Sequence, residues 1–164
     1  MPRSLLTALA VVIFMPLTAQ AQSSALQGAW TVTEVSVSTP DTSYTVTSPQ
    51  PSLYIFLKQH YSVMFVLGSE PRELFSGDEP MLGSLDPTDA EKLAAYDSFI
   101  ANSGTYELTD STFTTRPMVA KSPNFMVSGS LTFTYRVEAD TLWLTSRVPW
   151  EPDTETRTTL VRLE

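Results

Sequence analysis

The sequence predicts an all-β domain, an up-and-down antiparallel β-barrel of eight to nine strands with one helix capping an end. Three observations lead there. The stretch Leu131-Thr-Phe133-Thr-Tyr135-Arg-Val137 alternates apolar and polar residues without a break, and a period of two puts one row of side chains on each face of a sheet. Comparable short runs recur along most of the chain between brief polar turns, so nearly every strand has its sequence neighbour as partner. A sheet of that many strands removes its open edges by closing, although a two-sheet sandwich is the main rival. The third observation is a single helical pattern set among these strands, leading into Gly104.

Taken in order, the chain opens with Arg3, an apolar run from Leu5 to Leu17, and Ala19-Gln20-Ala21. These are the three parts of a secretory signal peptide over residues 1–21, and the apolar part is too short to span a membrane. The expected fold is then one domain over residues 22–164. Gly28-Ala-Trp30 starts the first strand, where Trp30 either plugs one end of a barrel or serves as a core residue. Tyr44 to Thr47 reads as a short edge strand. Leu53-Tyr-Ile55-Phe-Leu57 is continuously apolar, which predicts burial on both faces, and Tyr61 to Val66 returns as its hairpin partner.

Residues 68–87 leave the β pattern. They are rich in Gly, Pro and acids (Glu70, Glu73, Asp78, Glu79, Asp86) and read as a long solvated loop. A helix follows, with Asp86 as cap, Pro87 in its first turn, and Ala90, Leu93, Ala94, Ile100 and Ala101 on one stripe. Asn102-Ser103-Gly104 ends it, glycine being the usual left-handed stop. The remaining strands are Thr105 to Leu108, Phe113 to Met118, Val127 to Glu138, Thr141 to Val148 and Thr156 to Leu163, the last returning to the first.

Composition narrows the function classes. The chain has no cysteine and a formal net charge of −8, which becomes −9 once Arg3 leaves with the signal. Without cysteine the domain relies on packing, and about 140 residues bury a core large enough for that. Its Lys and Arg are scattered singly, so it lacks the clustered cations that nucleic acid or an anionic membrane surface requires. No later run approaches the ~18 apolar residues of a membrane span. The expected destination is the periplasm or the medium.

Gly28-x-Trp30 looks like the opening signature of the lipocalins and other calycins. More specifically, the chain resembles the bacterial lipocalin-like domain family over most of its length past residue 21. The residues that carry this are Phe99-Ile100-Ala101 running into Gly104-Thr105-Tyr106-Glu107, then Pro123-Asn124, Tyr135-Arg136, and Asp140-Thr141-Leu142-Trp143-Leu144. The resemblance implies a barrel with an internal cavity and a role generally unassigned. Histidines found in other members before the Pro-Asn turn are missing here, where the strand reads Phe113-Thr-Thr-Arg116-Pro-Met118, so no role of theirs carries over.

The residues themselves offer little reactive chemistry. One histidine and no cysteine make no metal set, no Gly-x-Ser-x-Gly elbow exists, and no phosphate or dinucleotide fingerprint is present. Catalytic residues, metal ligands and cofactors are therefore expected to be none. The leading expectation is a small apolar or amphipathic ligand held in the barrel. The candidate contacts are Trp30, Tyr54, Phe56, Met64, Phe65, Tyr96, Phe99, Arg116, Met118, Phe133 and Tyr135, with Arg116 a candidate anchor for an anionic headgroup. The alternatives are a structural or protein-interaction module without ligand, or a cavity-based cyclase or isomerase. Nothing in the sequence fixes an oligomeric state.

Overall fold

Nine strands form one antiparallel sheet that closes on itself. The computed structural model describes residues 25–77 and 86–164. The segment read as a signal peptide, 1–21, and residues 78–85 of the acidic loop lie outside the described residues. The strands are β1 (Gly28–Ser38), β2 (Ser43–Val46), β3 (Ser52–Phe56), β4 (His60–Val66), β5 (Phe99–Leu108), β6 (Thr112–Ala120), β7 (Leu131–Glu138), β8 (Thr141–Val148) and β9 (Glu151–Arg162). Among the described residues two short helices interrupt them, α1 (Asp89–Asp97) and α2 (Pro123–Ser128). From β3 to β9 each strand pairs with the next, and β9 pairs with β1 from Trp30↔Arg162 to Ser38↔Glu155. On its other edge β1 pairs first with β3 (Gly28↔Phe56 to Trp30↔Tyr54) and then with β2 (Val35↔Val46 to Ser38↔Ser43). Eight strands thus make the ring, and β2 is a ninth that covers the part of β1 that β3 leaves free.

The alternation of β7 becomes the two faces of this wall. Leu131, Phe133, Tyr135 and Val137 are half-buried inside, while Thr132, Thr134, Arg136 and Glu138 are exposed outside. In β3 the continuous apolar run is only half-buried on its outer face: Ser52 and Phe56 are buried, and Leu53 and Ile55 are intermediate. A lone sheet wound into a ring has one covered face, so Leu53 and Ile55 do not find the second layer that a double-sided strand needs.

One end of the ring is packed shut. Leu26, Trp30, Phe56, Phe113, Leu142 and Leu160 are its largest fully buried side chains, and all lie near the end formed by the turns after β3, β5 and β7. Trp30 Nε1 donates to the Leu26 carbonyl at 3.0 Å. The Arg162 guanidinium lies 4.1 Å from the Trp30 ring centroid and donates to the carbonyls of Gln27 and Ala25 at 2.6 and 2.8 Å. That one side chain ties the stretch from Ala25 to Trp30 to the last strand. Gly28, at φ +135°, lets the backbone turn from this clasp into β1.

The helix differs from its sequence expectation at both ends. Its N-cap is Thr88, two residues after Asp86, and Thr88-Asp-Ala-Glu91 forms a reciprocal capping box. Glu91 also accepts from the Ser76 amide and hydroxyl, both at 2.7 Å. These bonds, the Ser76 amide first, hold its carboxyl down at about 2. The helix stops at Asp97 because Val66↔Phe99 begins the pairing of β5 with β4. Asn102-Ser103-Gly104, expected to end a helix, therefore lies inside a strand. Pro123-Asn124, expected as a turn, starts α2, where proline suits the first helical position.

Gly104 is a glycine for a different reason than a left-handed stop. A Cβ there would sit 2.0 Å from the Arg116 carbonyl oxygen and 2.8 Å from the Met118 amide nitrogen. The β5–β6 register shifts at this point, with Ser103↔Val119 followed by Gly104↔Pro117, and Met118 bulges outward. The backbone of β6 thus occupies the space where a side chain would stand. Gly104→Ala is expected to cost about 1–3 kcal/mol through strain, read as a lower denaturation midpoint. A variant with an unchanged midpoint would show that the bulge moves aside freely.

Candidate ligand cavity

Towards the opposite end of the ring the inward side chains, a mixture of apolar and uncharged polar groups, leave a cavity of about 200 Å³. Phe56, Tyr61, Phe113 and Phe133 form its floor, against the packed end. Tyr54, Val63, Phe65, Asn102, Thr115, Leu131, Ser146 and Thr158 make the walls, and Ile100, Val148 and Thr156 the rim. The strand period positions each of them: Tyr54 pairs with Val63, Phe133 with Ser146, and Ser146 with Thr156, all on the inner face. Phe113 stacks on Phe133 at 4.9 Å between ring centroids and meets Phe56 edge-on at 5.5 Å, which fixes the floor.

Among the described residues no charged side chain lines this space. Burial pushes the Tyr54 phenol far above the ordinary range. It raises that of Tyr61 as well, with the neighbouring Thr115 hydroxyl pulling the other way. Both tyrosines are therefore protonated at neutral pH. Thr115 Oγ1 donates to the Leu131 carbonyl at 3.2 Å, and the buried Tyr61 hydroxyl has no well-aligned partner among the described residues. The lining can offer apolar contact and neutral hydrogen bonds. It holds no carboxylate or imidazole to move a proton.

Comparison with known proteins agrees with this architecture. A family model described as a lipocalin-like domain matches residues 27–162. The chain belongs to the lipocalin-like domain family. Two solved structures are similar to it. One is a lipocalin-like protein from Bacteroides uniformis, 14% identical, with a TM-score of 0.43 over 85% of this chain and 99% of that one. The other is an uncharacterized protein from Bacteroides eggerthii, 13% identical, with a TM-score of 0.41 over 83% of this chain and 98% of that one. Among curated proteins none matches the chain.

The lipocalin-like barrel brings together only part of the set expected from sequence. Tyr54, Phe56, Phe65 and Phe133 line the cavity. Trp30 is fully buried in the packed end, and Tyr135 meets Phe113 edge-on at 5.8 Å on the same side, so neither reaches the cavity. Met64, Met118 and Tyr96 are exposed on the outside. Phe99 faces outward as well, with the Arg72 guanidinium 5.0 Å and the Lys121 ammonium 5.2 Å from its ring. Lys121 also donates to the carbonyls of Tyr96 and Phe99, fastening α1 beside the barrel.

Arg116 is an outer-face residue. It forks onto Glu107 at 3.1 and 3.2 Å, a contact that lowers the Glu107 carboxyl below its usual range. It does not point at the cavity as an anchor would. The lining residues that sequence reasoning missed are mainly Tyr61, Asn102, Phe113, Thr115, Leu131, Ser146, Thr156 and Thr158. Leu131 was legible, because it shares a parity with Phe133 along a strictly alternating strand. Among the described residues, no helix is long and apolar enough to cross a membrane, and no three His, Cys, Asp or Glu gather as a metal set.

Proposed function

We propose that this lipocalin-like protein binds one small, neutral, amphipathic molecule in the cavity between the floor of Phe56, Tyr61, Phe113 and Phe133 and the rim of Ile100, Val148 and Thr156. The supporting observation is an uncharged cavity of about 200 Å³ with aromatic and hydroxyl lining, in a barrel whose other half is filled. A cavity of roughly 150 Å³ lined by apolar groups accommodates a benzene-sized molecule. The ligand is accordingly a single ring or a short branched chain with a polar group, not a long acyl chain. Arg3, the apolar run and Ala19-Gln20-Ala21 support export, so the ligand is met in the periplasm or the medium.

One experiment addresses both statements. Native mass spectrometry of the protein recovered from the periplasmic or secreted fraction is expected to give a chain that begins at Gln22 and carries a small adduct lost on collisional heating. A chain retaining Met1 removes the export reading. Repeatedly empty spectra, with no thermal shift from single-ring alcohols or ketones, remove the ligand reading.

A further inference from the structure

Besides the polar groups of Tyr54, Tyr61, Asn102 and Thr115, the cavity carries three aliphatic hydroxyls gathered on one side. Ser146 on β8 and Thr156 on β9 are direct cross-strand partners, and Thr158 follows Thr156 on the same inner face. None of the three hydroxyls makes a hydrogen bond to another group among the described residues. Two cross-strand pairs on the outer face do satisfy each other: Ser62 with Ser103 at 2.7 Å and Thr114 with Thr132 at 2.8 Å. In the ring order β8 lies opposite β4, half a turn away, and β4 presents Val63 and Phe65 to the cavity. The cavity thus has a cluster of hydroxyls on β8–β9 and, facing it, the apolar side chains of Val63 and Phe65, with Tyr61 below them and Asn102 beside Val63.

We infer that Ser146, Thr156 and Thr158 select the ligand, which carries an oxygen (carbonyl or hydroxyl) on one edge towards β8–β9 and an apolar ring towards Val63 and Phe65. This rests on the proposed cavity and deepens it. A molecule that seals the cavity strips water from those hydroxyls. One that returns no hydrogen bond leaves them unsatisfied, and sites built this way reject the analogue lacking the polar group far better than an apolar pocket rejects an added one. The three hydroxyls are neutral and each can donate or accept, so they suit an uncharged oxygen and give no ion-pairing partner to a carboxylate or phosphate.

The test uses a matched probe pair, acetophenone and isopropylbenzene, which have the same number of heavy atoms and differ in the carbonyl. Affinities for the chain from Gln22 are measured by calorimetry or ligand-observed NMR. Wild type is compared with Thr156→Val/Thr158→Val, which keeps the side-chain shape, and with Ser146→Ala on the other strand. Acetophenone is expected to weaken by roughly three- to tenfold in either variant, while isopropylbenzene binds as well or better. The probe's own preference for water cancels in that comparison. Equal shifts for both probes, or no shift, overturn the hydroxyl-cluster assignment while leaving the cavity reading intact. If neither probe binds wild type, the cavity reading falls and takes this inference with it. Should the double variant fail to fold, Ser146→Ala alone decides between these outcomes.

Discussion

Trp30→Ala is expected to cost about 3–5 kcal/mol of folding stability, a Tm lower by roughly 10–15 °C for a domain of this size. Trp30 is fully buried at the packed end of the ring, and its loss empties the largest single volume there. The Leu26 carbonyl loses its donor, and the Arg162 guanidinium loses the ring that it covers at 4.1 Å. Arg162 is what ties the segment before β1 to the last strand, through the carbonyls of Ala25 and Gln27. The damage therefore reaches the closure of β9 on β1 rather than staying a local void. Trp30→Phe should fall between, because it keeps an aromatic face for Arg162 and drops the donor to Leu26. Against the usual 5–15 kcal/mol of a whole domain, that is a large share of the total. Urea titration followed by circular dichroism reads this directly. A loss below about 1 kcal/mol would mean that the first turn of β1 lies outside the cooperative core, and that the packed end is not what holds the ring closed.

The fold was legible where one face of a strand is wet and the other dry. From Leu131 to Glu138 each inward residue is apolar and each outward one polar, so period and position coincide. Threonine breaks that legibility. It is a good strand former on either face, so Thr156 and Thr158 carry no apolar mark of an inner face, although the charged Glu155 and Arg157 that alternate with them lie outward. The hydroxyls of Ser146, Thr156 and Thr158 thus lack the apolar signal by which Tyr54, Phe56, Phe65 and Phe133 could be read as lining. Naming Met64 beside Phe65 set aside the period of two, since neighbours in a strand face opposite ways. For Arg116 parity was available, since the inward Phe113 and Thr115 put it on the outer face, but Thr114 and Met118 on its own side do not mark that face as wet.

The helix end shows propensity overruled by tertiary pairing. Ile100 and Ala101 fit a helical stripe, but seven successive pairs from His60↔Thr105 to Val66↔Phe99 draw that segment into the sheet. Its start is readable in the sequence: Thr88-Asp-Ala-Glu91 is a capping box, a stronger signal than the lone acidic residue before the proline.

Phe113→Ala joins the core to the site. Phe113 is 1% exposed and touches Phe56, Tyr106, Phe133 and Tyr135, so it is both the hub of the aromatic cluster and part of the cavity floor. Removing its ring is expected to cost about 3–5 kcal/mol, since the void is only partly refilled by relaxation. The neighbours that limit relaxation are themselves pinned: the Tyr106 hydroxyl donates to the Leu57 carbonyl, and Phe56 is locked in the β3–β4 pairing opposite Tyr61. The void then opens onto the existing cavity of about 200 Å³ instead of standing alone. A fused two-ring probe such as 2-naphthol, too large for wild type, should enter the variant. Anything that binds only the folded form raises stability, by about 2.7 kcal/mol at a hundred times its Kd. The expected result is a variant with a lower Tm than wild type when free, and a rise with 2-naphthol that wild type does not show. If the rings of Phe56, Tyr106 and Phe133 collapse into the gap, the free variant loses less stability and the probe gives both proteins the same small response. That outcome would show a floor set by the mobility of its neighbours, and the size of the natural ligand could then not be argued from the cavity as it stands.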